Sequence, residues 1–258
     1  MTTRRVLLVE DDASLRRFVR LALEDLPLEL LECDRVADAL GLLSKARVDL
    51  IVTDLMLPGQ SGLDLLQQLQ REPGLRGNAG LVVFSAGLTL QVRGQLAALG
   101  VWRLIAKPAS VTELLDCVRD GLADRSIGEN GAGSKEADGR AEPASPVTID
   151  PSVDEETTDA LDLYFDGNRE LFDAYRAACR TQFPRDIRAG DDACAGRDGQ
   201  TLLRVAHSLK TVLLTLGYAS LSRRALEIEQ LCRAGDLHAA AGSWSKLSTG
   251  LRLLGQLD

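Results

Sequence analysis

The chain has 258 residues, a net charge of −8, 45% hydrophobic and 26% charged residues. That suits one large domain or two small ones with buried cores. The charge argues against nucleic acid or an anionic membrane as the main partner, and no apolar run approaches the ~20 residues of a bilayer span. No membrane insertion is therefore expected. The start, MTTRRVLLVEDD, turns acidic too early for a signal peptide. Cys33, Cys117, Cys179, Cys194 and Cys232 are scattered and form no CxxC. They read as reduced, mostly buried thiols in a cytoplasmic protein, with no disulfide framework and no zinc site.

From residue 4 to about 124, short apolar runs alternate with stretches of helical spacing. RRVLLV is followed by SLRRFVRLALEDL, LELLEC by VADALGLLSKA, and VDLIVT by GLDLLQQLQRE. GLVVFS then precedes LTLQVRGQLAALG, and WRLIA precedes SVTELLDCVRDGLA. Five such βα units predict an α/β domain over residues 1–125, with a doubly wound, five-stranded parallel sheet. Sites in such sheets lie at the carboxyl ends of the strands. Residues 126–152, SIGENGAGSKEADGRAEPASPVTIDPS, hold Gly, Ser, Pro and charges and read as a flexible linker. Residues 153–258 carry helical patterns with breaks at Pro184, 196–199, Gly217 and 235–236, and no strand pattern. An all-α four-helix bundle is the expected solution.

Four strand ends of the first domain carry polar chemistry. They bring Glu10, Asp11 and Asp12 after the first strand, Asp54 after the third, Ser85 after the fourth and Lys107 after the fifth. Crowded carboxylates repel one another unless a cation sits among them, and Mg²⁺ with oxygen ligands fits best. With a metal and an ammonium at hand, Asp54 becomes a nucleophile toward a phosphoryl group whose oxygens Lys107 and Ser85 contact.

VEDD, TDLMLPGQSG, FSAG and AKP together resemble a response-regulator receiver domain across residues 4–124. The resemblance implies a flavodoxin-like fold with Asp54 as phosphoacceptor, supported by Ser85 and Lys107. It also implies Mg²⁺ held by Glu10, Asp11, Asp54 and the backbone carbonyl of Met56; Asp12 is not counted as a ligand. One position departs from the pattern. Where receivers commonly place a switch aromatic three residues before the lysine, this sequence has Leu104, and the nearest aromatic is Trp102. Phosphorylation chemistry is expected to survive that change, whereas the usual conformational readout is not assured.

In the second domain the informative stretch is RVAHSLKTVLLTLG. On a helical wheel Leu202, Val205, Leu209, Val212, Leu213 and Leu216 share one side, and Leu203, Arg204, His207, Lys210, Thr211 and Leu214 fall on the other. His207 is thus expected to point away from the core, with its neutral, nucleophilic form available near neutral pH. Lys210, one turn on, shares that face and is placed to attract phosphoryl oxygens, and two exposed leucines would flank the pair. AHSLK and Gly217 resemble a histidine phosphotransfer (HPt) domain over roughly residues 153–257. The resemblance implies His207 as phosphoacceptor and Lys210 as its electrostatic support. Thr211 stands where that family usually has glycine. His238 matches nothing catalytic and reads as a surface residue.

No glycine-rich ATP loop or kinase-like block occurs. The expected function is a phosphorelay intermediate linking a sensor histidine kinase to a downstream response-regulator receiver through Asp54 and His207. Asp54 would also label from a small phosphodonor with Mg²⁺, without any kinase domain. Two rivals remain at this point. In one, Asp54 is a phosphate sink or regulator while foreign receivers serve His207; in the other, the chain is a non-catalytic docking protein. A tether of ~25 residues spans roughly 25–30 Å, so exchange within one molecule is feasible but not required.

Overall fold

The structure is a computed structural model that describes residues 3–86, 90–123 and 153–255. The stretch read as a linker, 126–152, lies outside the described residues. The first domain runs β1 (Arg4–Val9), α1 (Ala13–Ala22), β2 (Leu28–Cys33), α2 (Val36–Leu43), β3 (Leu50–Thr53), α3 (Gly62–Arg71) and α4 (Pro73–Arg76). It continues with β4 (Gly80–Ser85), α5 (Leu90–Ala98), β5 (Arg103–Ala106) and α6 (Val111–Ala123). All strand pairs are parallel and the order is β2-β1-β3-β4-β5. The short helix α4 was not visible in the sequence pattern.

Alternation along the strands divides the core into two layers. Val6, Leu8, Leu50, Val52, Val82 and Phe84 face one side with α1 and α6. Leu7, Val9, Ile51, Leu81 and Val83 face the other with α2, α3 and α5. This is the period-two pattern of strands buried on both faces. The arrangement brings the ends of β1, β3, β4 and β5 to one edge of the sheet.

The second domain consists of α7 (Val153–Phe165), α8 (Arg169–Gly196), α9 (Gly199–Thr215), α10 (Ala219–Ala234) and α11 (Leu237–Leu254). Helices α8 to α11 form the bundle, and α7 is a fifth helix that packs against α8 and also reaches α6. The expected break at Pro184 does not occur: α8 runs through it for 28 residues. Proline removes one backbone donor. Here it lies on the exposed side, while Phe183 and Ile187 bury themselves on either side of it and hold the helix in place. The other breaks are turns: Arg197 and Gly235 take left-handed conformations, and Asp198 and Asp236 cap the helices that follow.

The two domains share one core. Phe18 of α1 meets the Phe165 ring edge-on, with centroids 5.4 Å apart, and the Tyr175 ring at 5.3 Å. At a second point the Asp166 carboxylate accepts hydrogen bonds from the backbone N–H and hydroxyl of Thr112, at 3.0 and 2.8 Å. A residue of the second domain thereby caps α6 of the first.

Gly62 begins α3 so close to β3 that a Cβ there would lie 1.9 Å from the Asp54 carbonyl oxygen. Backbone cannot yield as a flexible side chain can. Gly62→Ala is expected to destabilise the chain by about 1–3 kcal/mol, the usual cost of overpacking. Denaturant unfolding of the full chain checks this; an unchanged midpoint would contradict the packing described.

Candidate functional site

The strand-edge groups converge as expected. Asp54 is 3% exposed, and Glu10, Ser85 and Lys107 are also buried. The Lys107 ammonium donates to Asp54 Oδ2 at 2.7 Å and to Glu10 Oε2 at 2.5 Å. Asp54 Oδ1 accepts the backbone N–H groups of Leu55 and Met56, at 2.5 and 3.2 Å. Burial pushes the Asp54 carboxyl up, but the charge and hydrogen bond of Lys107 hold it below its ordinary value. Its carboxylate is therefore ready at neutral pH.

The other two acids behave differently. Glu10 is pushed up to about 8 by burial, with the Asp54 and Asp12 charges adding to it and Lys107 opposing. Asp11 rises to about 6 by burial and by the charges of Asp12 and Asp54. Glu10, Asp11 and Asp54 each offer an oxygen within 4.8 Å of the others. Asp12 turns away from this group: its Oδ1 accepts the N–H groups of Ser14 and Leu15 and caps α1. Leu104 packs against the core layer of α2, α3 and α5, while Trp102 is 43% exposed beneath the Arg103 guanidinium.

His207 is only 4% exposed, against the expectation of an outward-facing residue. A wheel drawn for one helix registers the other helices of its bundle and nothing else. In the folded chain the side of α9 carrying His207 is covered by α10 and by the first domain. Leu203 and Leu214 are half-buried rather than exposed, and Thr211 is buried. Arg204, one turn before His207, approaches Asp11 of the first domain at 3.8 Å. His207 lies near enough to Asp54 for a positive charge on its ring to act on that carboxyl.

Glu229 on α10 fixes the ring. His207 Nδ1 lies 3.0 Å from Glu229 Oε1, and the Lys210 ammonium donates to Oε2 at 2.9 Å. Arg233 also donates to Oε1. Burial alone would raise the Glu229 carboxyl, but His207 and Lys210 pull it down to about 2. An ionised acceptor makes Nδ1 the protonated nitrogen and leaves Nε2 with its lone pair. Nε2 is buried and has no hydrogen-bond partner, and the same holds for the Ser85 hydroxyl.

Residues 6–119 match the family description of the response regulator receiver domain, and residues 159–257 match that of the Hpt domain. The chain is a receiver domain fused to an Hpt domain. It is a two-component phosphorelay protein. Among curated relatives, the sensory/regulatory protein RpfC of Xanthomonas campestris pv. campestris is 27% identical over 260 residues, spanning 95% of this chain and 32% of that protein. The phosphate regulon transcriptional regulatory protein PhoB of Pseudomonas aeruginosa is 31% identical over 115 residues, 45% of this chain and 50% of its own. PhoB of Escherichia coli K12 is 34% identical over 112 residues, 43% of this chain and 48% of its own. The chain thus spans half or less of the length of these relatives.

In the Hpt domain the sequence analysis missed Glu229 and Arg204. Glu229 left a signal: Ser222, Ala225, Glu229 and Cys232 fall on one stripe of α10, three of them buried, and an acid there needs buried partners. In the folded wild-type chain, ¹⁵N shifts should show His207 as the Nδ1–H tautomer, with Glu229→Ala giving a mixture. The Glu229 carboxyl, held at about 2, stabilises the Hpt fold above its ordinary range and loses that contribution as pH falls from about 4.5 toward 2. A ¹³C carboxyl resonance for Glu229 that titrates near 4.5 would show the cluster to be wrongly described.

Proposed function

We propose that this chain is a phosphorelay intermediate in which Asp54 accepts a phosphoryl group and His207 carries one. The observation that carries this reading is the pair of buried, unpartnered groups beside Asp54, the Ser85 hydroxyl and His207 Nε2. A phosphoryl group on Asp54 gives the hydroxyl an oxygen to donate to and gives Nε2 an electrophile. Buried polar atoms without partners are uncommon, and two beside one carboxylate support a site built for a group larger than the carboxylate alone.

The donor set also fits a hard divalent cation. Three carboxylates share a small volume, two of them with ionisation suppressed by burial and mutual repulsion, and Mg²⁺ with oxygen ligands relieves both. Glu10, Asp11 and Asp54, with the Met56 carbonyl, would hold it. Bound there, Mg²⁺ supplies charge neutralisation to the phosphoryl oxygens. Lys107, already on Asp54 Oδ2, stabilises the same charge from the protein side.

In the first step an Asp54 carboxylate oxygen attacks the phosphorus of a donor, and the donor's leaving group departs with the bonding pair. In the second, the Nε2 lone pair of His207 attacks that phosphorus, the N–P bond forms and the P–O bond to Asp54 breaks. Asp54 leaves as a carboxylate. The Nδ1 proton stays on the ring, and Glu229 balances the positive charge the imidazole acquires. Lys210 and Arg233 keep Glu229 ionised. Arg204, at Asp11, orients the two faces.

A sensor histidine kinase supplies the phosphoryl group and a downstream response-regulator receiver takes it from His207. The five scattered thiols, none in a disulfide among the described residues, support a cytoplasmic setting for this exchange. No helix among the described residues is long and apolar enough to cross a membrane.

Incubating the full chain with an acyl phosphate and Mg²⁺ should yield an acid-labile, base-stable phosphohistidine on His207. That label should vanish in both Asp54→Ala and His207→Ala chains by intact-mass analysis. Label confined to Asp54 would make the receiver a sink or regulator, and label at neither residue would leave a docking protein. Mg²⁺ should bind more tightly at pH 8 than at pH 6, because the metal takes Glu10 and Asp11 ionised while burial holds them near 8 and 6. Calorimetry at pH 7 in buffers of different ionisation heat should register proton release; none would sink the assignment of these ligands.

A further inference from the structure

His207 and Asp54 are both almost inaccessible, at 4% and 3% exposure. An outside donor must reach Asp54, and an outside acceptor must reach His207. A protein-sized partner cannot do either while the two domains are packed as described. Two of the contacts that hold this packing lie away from the reacting atoms. One is Phe18 of the receiver, fully buried against Phe165 and Tyr175 of the Hpt domain. The other is Asp166, which begins the turn after α7 in a left-handed conformation (φ 51°) and caps α6 through Thr112.

We propose that this packing is a latch: the chain's own receiver occupies the docking face of His207 and excludes other proteins until the Phe18 and Asp166 contacts part. As a regulation of phosphoryl transfer this rests on the reading of Asp54 and His207 given above; as an occlusion of His207 it does not. Closed, the chain exchanges only between its own two sites. Open, each domain presents the same face to a foreign partner. Asp166 is exposed and its contribution is two hydrogen bonds, whereas Phe18 contributes aromatic burial, so the Phe18 contact is the stronger half of the latch.

The chain contains its own reference for a test, because its second histidine, His238, is exposed at the start of α11. The full-length protein is treated with diethyl pyrocarbonate, and the modification rate of each histidine is followed by peptide mass mapping. In the wild-type chain His207 should react at least about tenfold more slowly than His238, since it reacts only through opening. Asp166→Ala should raise the His207 rate a few-fold and Phe18→Ala roughly tenfold, in proportion to the open fraction, with His238 unchanged. Asp166→Ala removes nothing from the core, so it tests the latch even where Phe18→Ala unfolds the chain. Equal rates for the two histidines in the wild-type chain would overturn the proposal. So would a His207 rate that Asp166→Ala leaves unchanged. Failure of either phosphoryl label to form would leave these rates as they are, and so bears on the function alone.

Discussion

The buried ammonium of Lys107 is the interaction on which the receiver site depends. It ties the end of β5 to Glu10 at the end of β1 and to Asp54 at the end of β3, with all three groups out of water. Two carboxylates so placed repel each other, Lys107 opposes that repulsion, and losing one partner of such a buried set costs on the order of 3–5 kcal/mol. The same contact sorts the acids by task. Asp54, which also accepts two backbone N–H groups, stays ionised, while Glu10 and Asp11 hold their protons more tightly. One cation thus sets both the shape and the protonation of the site.

The Hpt domain solves a parallel problem with the signs reversed. Its buried carboxylate, Glu229, collects His207, Lys210 and Arg233. An acid surrounded by donors stays ionised, and an ionised acid dictates which imidazole nitrogen carries the proton. Lys210, expected to face a phosphoryl group directly, spends one hydrogen bond on Glu229 and so supports His207 through its partner. The two sites are complementary: a carboxylate held by a lysine in one domain lies near an imidazole held by a carboxylate in the other.

Much of this was legible before any coordinates. Strand alternation such as Val6/Leu7/Leu8/Val9, buried on both faces, gave five strands, and their order along the chain placed Glu10, Asp54, Ser85 and Lys107 at one edge. That inference works because a parallel sheet leaves little freedom in where its strand ends go. The helix breaks at Gly217 and at Gly235–Asp236 were equally readable, since a left-handed glycine, followed at the second by a capping acid, is a local matter. Pro184 misled for a related reason. Proline is a local signal against helix, and only the burial of Phe183 and Ile187 on either side of it overrode that signal.

The sequence by itself determined the two domain types and singled out the side chains proposed to react, because periodicity and strand-end chemistry are properties of short segments. It put His207 opposite the apolar stripe of α9 and expected it exposed, whereas it is buried. What it could not supply was what covers that side. The burial of His207, the Glu229 carboxylate on its Nδ1, the Arg204–Asp11 approach and the Phe18 cluster all join residues far apart in the chain. Tertiary structure decided these, because a wheel or a motif describes one element in isolation, whereas burial and protonation are set by whatever packs against it.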